Sequence, residues 1–240
     1  MSLLFRRRIE VLCANRRFEL DQGNKVGYDM DFIVPFDEKP EPKIAMVNIY
    51  NLAPETRNLL QKGERIILNA GYGNDVGTIF AGKIENTINR VEGVDIRTSI
   101  EIGDGSDEWK NAYVSQSFAP GTSASIVIQR LLSGFGLKAG RVLLNKDIVY
   151  TNGKSVQGSL LNELKKIVVD CESKIYTIGG LVYILPIQQG QEEVIVLESD
   201  SGLISSPVEY EDEEYQGFML EMLLNNKVNV DSKLRIKSKF

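Results

Sequence analysis

The sequence predicts a mainly β protein of the α+β class. An N-terminal antiparallel β-barrel-like domain is followed by a middle α+β domain with two amphipathic helices, and then by C-terminal strands of a second barrel. Three observations support this prediction. Apolar and polar residues alternate through the first hundred positions, and in two later segments apolar residues recur about every 3.6 residues. Strand-like alternation then returns at the end of the chain. The predicted domains cover residues 1–104, 105–205 and 206–240.

The first region contains the clearest hairpin. Apolar and polar side chains alternate through residues 94–102, and Glu92 and Gly93 alone separate this segment from the strand before it. A short helix is predicted over residues 54–62, because it begins with a proline and is followed by Gly63 as a C-terminal cap. The other strands predicted here cover residues 28–34, 43–50, 65–72 and 78–91.

The middle region contains both amphipathic helices. Thr122 or Ser123 can cap the first, which ends at Gly134 and Gly136. The second covers residues 160–171 and places Leu, Ile, Val and Cys side chains on one face, with charged residues opposite. The sequence therefore predicts two helices that pack on a common core.

Glycines and an acidic run mark the rest of the chain. Gly179–Gly180 joins strands 174–178 and 181–185 in a predicted hairpin, and residues 194–197 form another strand. Residues 209–215 form an acidic run of five carboxylates and two tyrosines. The last strand-like segments cover residues 218–224 and 234–237, with a polar turn at 225–227.

The composition excludes the commonest catalytic groups. The 240 residues include 28 Lys and Arg, 33 Asp and Glu and no His, for a net charge of −5. Without histidine the chain has no Ser-His-Asp triad, Cys-His dyad or imidazole metal ligand. The acidic balance argues against nucleic-acid binding, so no sequence-specific nucleic-acid partner is expected. One basic patch, interpreted as a solvated or interface face, comprises Arg6, Arg7, Arg8, Arg16 and Arg17.

Cysteines and apolar runs give two further expectations. Cys13 and Cys171 are too few and too distant in sequence for a disulfide framework or a cysteine-rich metal site. We expect both to be reduced packing residues. No apolar run is long enough for a secretory signal or a membrane span, so neither is expected.

Motif by motif, no catalytic set emerges. Residues 71–77 are glycine-rich but lack the Lys-Ser/Thr of a phosphate loop, which favours a hairpin loop. Asp104–Glu108 could surround a hard cation, but its spacing is not that of an EF-hand, so a polar linker is favoured, with Trp109 as a packing anchor. The acidic run could supply a glycosidase pair, yet consecutive residues imply no convergent geometry. A solvated or lumen-facing loop is the favoured interpretation of the run. The sequence predicts no enzyme, no cofactor and no metal site.

Short motifs occur in a fixed order through most of residues 44–240. They are Asn48–Leu52, Gly63–Ile66, Ala70–Tyr72, Ile79–Ile84, Glu92–Asp95, Phe118–Thr122, Gly153–Gly158, Gly180–Ile184, Gly202–Pro207 and Leu223–Asn225. In this order they resemble the late control protein D group of tail hub proteins from phages and prophages, which includes the hub of contractile-tail baseplates.

The resemblance implies a structural role in a virion tail assembled in the bacterial host cytoplasm. Such hubs are homotrimers whose paired barrels mimic a six-fold ring, which matches the hexameric tail tube on one side and a three-fold spike or fibre assembly on the other. Family members usually continue past the strand that here ends at Phe240. Whether the second barrel is complete in this chain therefore stays open. The predicted channel or interface residues are Glu209, Glu211, Asp212, Glu213 and Glu214.

Two other functions stay open at this stage. The chain could be the anchoring N-terminal part of a tail-associated cell-wall hydrolase, and would then itself be inactive. An unrelated ligand-binding β protein would instead have a closed apolar pocket lined from one domain.

Overall fold

Strands make up most of the regular structure. The computed structural model describes residues 6–37, 43–104, 112–187, 194–211 and 216–237. Within these residues it has three short helices and two hydrophobic cores. The predicted class, α+β and mainly β, is confirmed.

An eight-stranded antiparallel sheet carries the first core. Its strands are β1 (Arg7–Cys13), β2 (Arg16–Asp21), β3 (Val26–Gly27), β4 (Met30–Ile33), β5 (Ile44–Tyr50), β6 (Arg65–Tyr72), β7 (Asp75–Glu92) and β8 (Asp95–Gly103). Their order across the sheet is β3-β2-β1-β6-β7-β8-β5-β4. The predicted alternation holds in β8, where Thr98, Ile100 and Ile102 are fully buried between half-exposed neighbours.

The two edge strands of this sheet are consecutive in the chain. Tyr28 and Asp29 are the link between β3 and β4. The Tyr28 amide donates to the Glu19 carbonyl at 2.9 Å, and the Tyr50 amide donates to the Asp29 carbonyl at 3.0 Å. One short segment therefore contacts both edges and curls the sheet. No ladder joins β3 to β4 within residues 6–37, so a closed barrel stays a prediction.

The hairpin at the end of β7 is confirmed, with one correction. Glu92 pairs with Asp95, so the turn residues are Gly93 and Val94. Gly93 has φ +65°, which a two-residue hairpin turn requires and glycine adopts without strain. The alternation predicted from residue 94 is wrong at its first position, because Val94 is a turn residue and is 98% exposed.

The first helix is shorter than predicted. Helix α1 covers Pro54–Arg57, where residues 54–62 were expected. The amides of Leu59 and Leu60 donate to carbonyls three residues back, at 3.1 Å each, so the helix gives way to tighter turns. Leu60 is buried in the first core, and this anchoring directs the chain into β6.

The second core lies under a different set of elements. They are β9 (Tyr113–Phe118), β10 (Thr122–Ser123), α2 (Ala124–Gly134), β11 (Lys138–Val142), β12 (Val149–Tyr150), β13 (Lys154–Ser159), α3 (Leu160–Asp170), β14 (Ser173–Ile178) and β15 (Leu181–Pro186). Strands β11, β15 and β14 form one sheet in that order, while β9 pairs with β13 and β10 with β12. Both helices bury their apolar faces in this core, and the predicted hairpin about Gly179–Gly180 is confirmed.

A distant carboxylate, rather than a local hydroxyl, caps helix α2. Ser123 occupies the N-cap position but makes no side-chain capping bond, and the Thr122 hydroxyl donates to the Ala119 carbonyl instead. The Ser125 amide donates to Asp147 Oδ1 at 2.9 Å, and the Ser125 hydroxyl donates to Asp147 Oδ2 at 2.5 Å. The predicted N-cap position at Ser123 is therefore confirmed, but its side-chain bond is replaced by Asp147, an anion that the loop before β12 supplies to the positive helix end.

Two strand pairs occupy the C-terminal part. Strand β16 (Val194–Leu197) pairs in parallel with β19 (Lys233–Ile236), and β17 (Val208–Glu211) pairs with β18 (Gln216–Met219). The first of these pairs crosses the predicted domain boundary at residue 205. The domain limits and the second barrel remain predictions.

Candidate interface

The acidic run begins on a strand. Glu209 and Glu211 lie in β17, which forms a hairpin with β18. Asp212, Glu213 and Glu214 lie outside the described residues. The structure therefore positions the first two of the five predicted channel or interface residues.

The β17–β18 hairpin has two chemically different faces. Directly opposed residues share a face, so Val208 lies with Met219 and Glu209 with Phe218. Because faces alternate along a strand, Tyr210 joins Val208, and the second glutamate of β17 joins the first. One face is thus apolar, and the other carries both carboxylates together with Phe218.

Every residue of strands β17 and β18 is exposed. Val208, Phe218 and Met219 are each more than 60% exposed, and the remaining residues of both strands are also exposed. An isolated two-stranded hairpin is at best marginally stable in water. Large apolar side chains on an unsupported hairpin are typical of a surface that binds another polypeptide.

A second exposed surface lies between α2 and β11. It is a groove of about 410 Å³. Leu132 and Leu137 line it from the helix side, and Ala139 and Val142 from the strand side. Every residue of β11 is exposed. We call this surface the α2–β11 groove.

Strand β11 also has two distinct faces. It pairs with β15 through Lys138 opposite Leu181 and Ala139 opposite Val182, and after a bulge through Arg141 opposite Tyr183 and Val142 opposite Ile184. Val182 and Ile184 belong to the second core, so Ala139 and Val142 share their face, toward α2. Lys138 and Arg141 share the opposite face. The bulge at Gly140 keeps both cations on one face, and a Cβ at this position would lie 2.4 Å from the Tyr183 ring, which would have to move.

The segment before β19 joins the two cores. Leu224 packs against the first core. The Asn226 side chain donates to the Asp75 carbonyl at 3.2 Å. Asp231 forms a buried ion pair with Lys174 of β14, its own side chain being 3% exposed. We call residues 222–231 the strap.

Two arginines of the predicted basic patch form ion pairs with glutamates. Arg8 lies 3.1 Å from Glu10 and 2.9 Å from Glu19, and Arg17 lies 2.6 Å and 3.2 Å from the same carboxylates. These four side chains form one network across β1 and β2. Such a network favours the solvated face over an anion-binding patch.

Both cysteines are free and buried, as predicted. Burial, followed by the charge of Glu64, raises the pKa of Cys13. Burial is also the largest cause that raises the pKa of Cys171. A raised pKa keeps each thiol protonated and poorly nucleophilic at neutral pH.

The other motifs take simple structural roles. Tyr72 pairs with Asp75 at the end of β6, so the glycine-rich residues 71–77 form a hairpin loop, as predicted. Asp104 is buried, while Asp107, Glu108 and Trp109 lie outside the described residues. In the described part of the chain no group of three carboxylates or thiols is placed to hold a metal ion. No helix there has the length and apolar character to cross a membrane.

The fold has solved counterparts. The 43 kDa tail protein of prophage MuSo2 from Shewanella oneidensis matches 98% of this chain and 74% of its own, with a TM-score of 0.59 and 7% identity. The tail protein from Neisseria meningitidis MC58 matches 98% of this chain and 72% of its own, with a TM-score of 0.59 and 10% identity. This chain has the fold of these two tail proteins.

Sequence comparison adds nothing to the structural match. No family model matches the chain, and no curated protein sequence is similar to it. At such low identity the likeness to the two tail proteins is one of fold. The late control protein D resemblance accordingly remains a hypothesis.

Sequence patterns pointed to the acidic strand but not to the groove. The β11 segment, Lys138–Val142, has small residues at its centre and no simple alternation, because the bulge interrupts it. A signal does exist, since residues 129–146 contain four cations and no carboxylate. This excess of positive charge indicates a basic surface only when the structure shows which face of β11 carries Lys138 and Arg141.

Proposed function

We propose that this chain is a structural component of a phage or prophage tail, the hub that joins the hexameric tail tube to a three-fold spike or fibre assembly. The fold it shares with two tail proteins over nearly its whole length supports this role. The ordered motifs of the late control protein D group support the hub position more specifically.

In this proposal the hub is a homotrimer in the virion tail, assembled in the host cytoplasm. Its partners are the tail tube or distal tail proteins on one side and spike or fibre proteins on the other. The acidic run, with the channel or interface candidates Glu209, Glu211, Asp212, Glu213 and Glu214, lies at the channel, at its rim or at a subunit interface. Carboxylates there would repel a passing DNA polyanion rather than bind it.

Gene deletion tests the role directly. In a lysogen that lacks this gene, negative-stain microscopy of induced lysates should show no tails, or tubes without tips, and the intact gene supplied in trans should restore them. Gold-labelled antibodies against this protein should mark complete tails at the tip, where the tube meets the spike or fibre assembly. Normal tails in the deletion strain would contradict the proposal.

The role also implies no catalysis by this chain. The purified protein should leave a cell-wall suspension turbid at micromolar concentration. Clearing that disappears when a single carboxylate is replaced would instead identify a hydrolase.

A further inference from the structure

We propose that strand β17 of one copy adds to the open edge of β11 of a second copy, with its apolar face in the α2–β11 groove. The contact rests on the proposed homotrimer and specifies one of its interfaces. It would extend the β14-β15-β11 sheet by both strands of the neighbouring hairpin.

The two strands have open edges. Strand β11 is hydrogen-bonded to β15 on one side, and within residues 112–187 no strand pairs with its other side. Strand β17 is hydrogen-bonded to β18, and no further strand of the described chain pairs with that hairpin. Exposed backbone donors and acceptors on such edges favour strand addition.

The apolar faces match when the strands are side by side. Ala139 and Val142 of β11 face the groove beside α2, and Ile128 and Leu132 of the helix line its far wall. Val208 and Tyr210 of β17, together with Met219, would enter this groove. Burial there would remove from water side chains that the isolated chain leaves more than 40% exposed.

The charged faces match in the same arrangement. With the apolar sides of both strands in the groove, Glu209 and Glu211 lie on the face that carries Lys138 and Arg141. Because residues opposed across a ladder share a face, this match of faces does not depend on whether the two strands run parallel or antiparallel. Opposite charges on neighbouring strands stabilise the pairing, and like charges oppose it.

The chemistry of β17 fits a second copy as occupant. Its apolar pair, Val208 and Tyr210, fits the groove. Its acidic pair, Glu209 and Glu211, fits the cations of β11. The contact is head-to-tail, because hairpin and groove are different surfaces of one chain. Head-to-tail contacts build closed rings when the rotation closes, as a three-fold hub requires.

Charge reversal on the full chain tests the contact. Glu209→Lys with Glu211→Lys, and separately Lys138→Glu with Arg141→Glu, should each weaken self-association at least about tenfold in sedimentation equilibrium, because both create like-charge pairs. All four substitutions together should restore it. At concentrations where the wild type is monomeric, melting temperatures should match the wild type, since these side chains are exposed.

Cysteine pairs test the geometry independently. Tyr210→Cys or Val208→Cys, combined with Ala139→Cys or Val142→Cys, should give intermolecular disulfides in at least one combination on oxidation. As the control, Glu211→Cys with Val142→Cys should not crosslink, because these positions are on opposite faces. The native thiols are buried and do not interfere.

The outcomes separate this contact from the hub role. A wild-type chain that stays monomeric at high concentration, or a trimer that both charge reversals leave intact, overturns the docking. A tail protein that binds the groove in place of the hairpin would also overturn it. None of these results affects the gene-deletion experiment, which tests the hub role alone.

Discussion

At the scale of single residues, Ile100 tests the register of the first sheet. It is fully buried, opposite Val47 on β5 and Thr87 on β7. Ile100→Asp would place a carboxyl without a partner in this core and should lower the free energy of unfolding by at least about 3 kcal/mol. The matched control is Val94→Asp in the exposed turn of the same hairpin, which should change it by less than about 0.5 kcal/mol. Urea denaturation measures both, and an unchanged midpoint for Ile100→Asp would refute the register.

A substitution at Tyr150, unlike the one at Ile100, should not lower the free energy of unfolding. Its hydroxyl is buried and has no hydrogen-bond partner among the described residues, while the ring lies under the Lys154 ammonium at 4.8 Å. Tyr150→Phe keeps the ring, so the variant should be equally stable at pH 7, or more stable by up to about 1 kcal/mol.

The same residue should affect alkaline stability. Burial, followed by the charges of Cys171, Asp170 and Asp147, raises the pKa of Tyr150 from 10.0 to about 12. A raised folded-state pKa contributes stability that is fully present below pH 10 and is lost as the pH rises toward 12, because the unfolded chain releases the proton first. Urea midpoints measured from pH 9 upward should therefore fall less steeply for Tyr150→Phe. Parallel slopes would show that the hydroxyl is solvated.

At the scale of elements, two substitutions test how much the Asp147 cap of α2 contributes to stability. Asp147→Ala removes both the acceptor for the Ser125 amide and an anion at the helix N-terminus, and should destabilise the fold by about 1 kcal/mol. Ser123→Ala, at the N-cap position but without a capping bond, should have an effect below about 0.5 kcal/mol. Equal losses in the two variants would contradict the remote cap.

Elements with strong local patterns were predictable from sequence, and those set by distant partners were not. Helix α3 and the hairpin at Gly93 follow from periodicity and turn chemistry, which are local. Strands β9 and β13 have few buried side chains, with Val114, Phe118 and Val156 as the anchors, so neither produces a clear alternation. The pairing of β11 with β15 and of β16 with β19 likewise depends on partners distant in sequence.

The candidate interface shows the same division. Its acidic residues were evident from composition, because five carboxylates cluster in residues 209–215. The position of Glu209 and Glu211 on one face of β17, with Val208 and Tyr210 on the other, became evident only from the ladder with β18. The groove that complements them required the bulge at Gly140, which no periodicity rule indicates.

At the scale of the whole molecule, the strap determines whether the two cores unfold together. Leu224 and Asn226 contact the first core and its sheet, and Asp231 pairs with Lys174 in the second. The turn between β14 and β15 also approaches the end of the first sheet, since a Cβ at Gly180 would lie 2.7 Å from the Asp104 carbonyl. Such contacts on both sides favour one cooperative unfolding transition.

Loss of the strap contacts should uncouple the cores. Asp231→Ala leaves the Lys174 ammonium partly buried and without this carboxylate, which opposes docking of the strap on β14. Combined with Asn226→Ala, it should split the single calorimetric transition expected of the wild type into two. Lys227→Ala is the control, because this side chain is exposed within the same segment, and it should leave one transition. Two transitions in the wild type, or one in the double variant, would show that contacts outside the strap control the coupling.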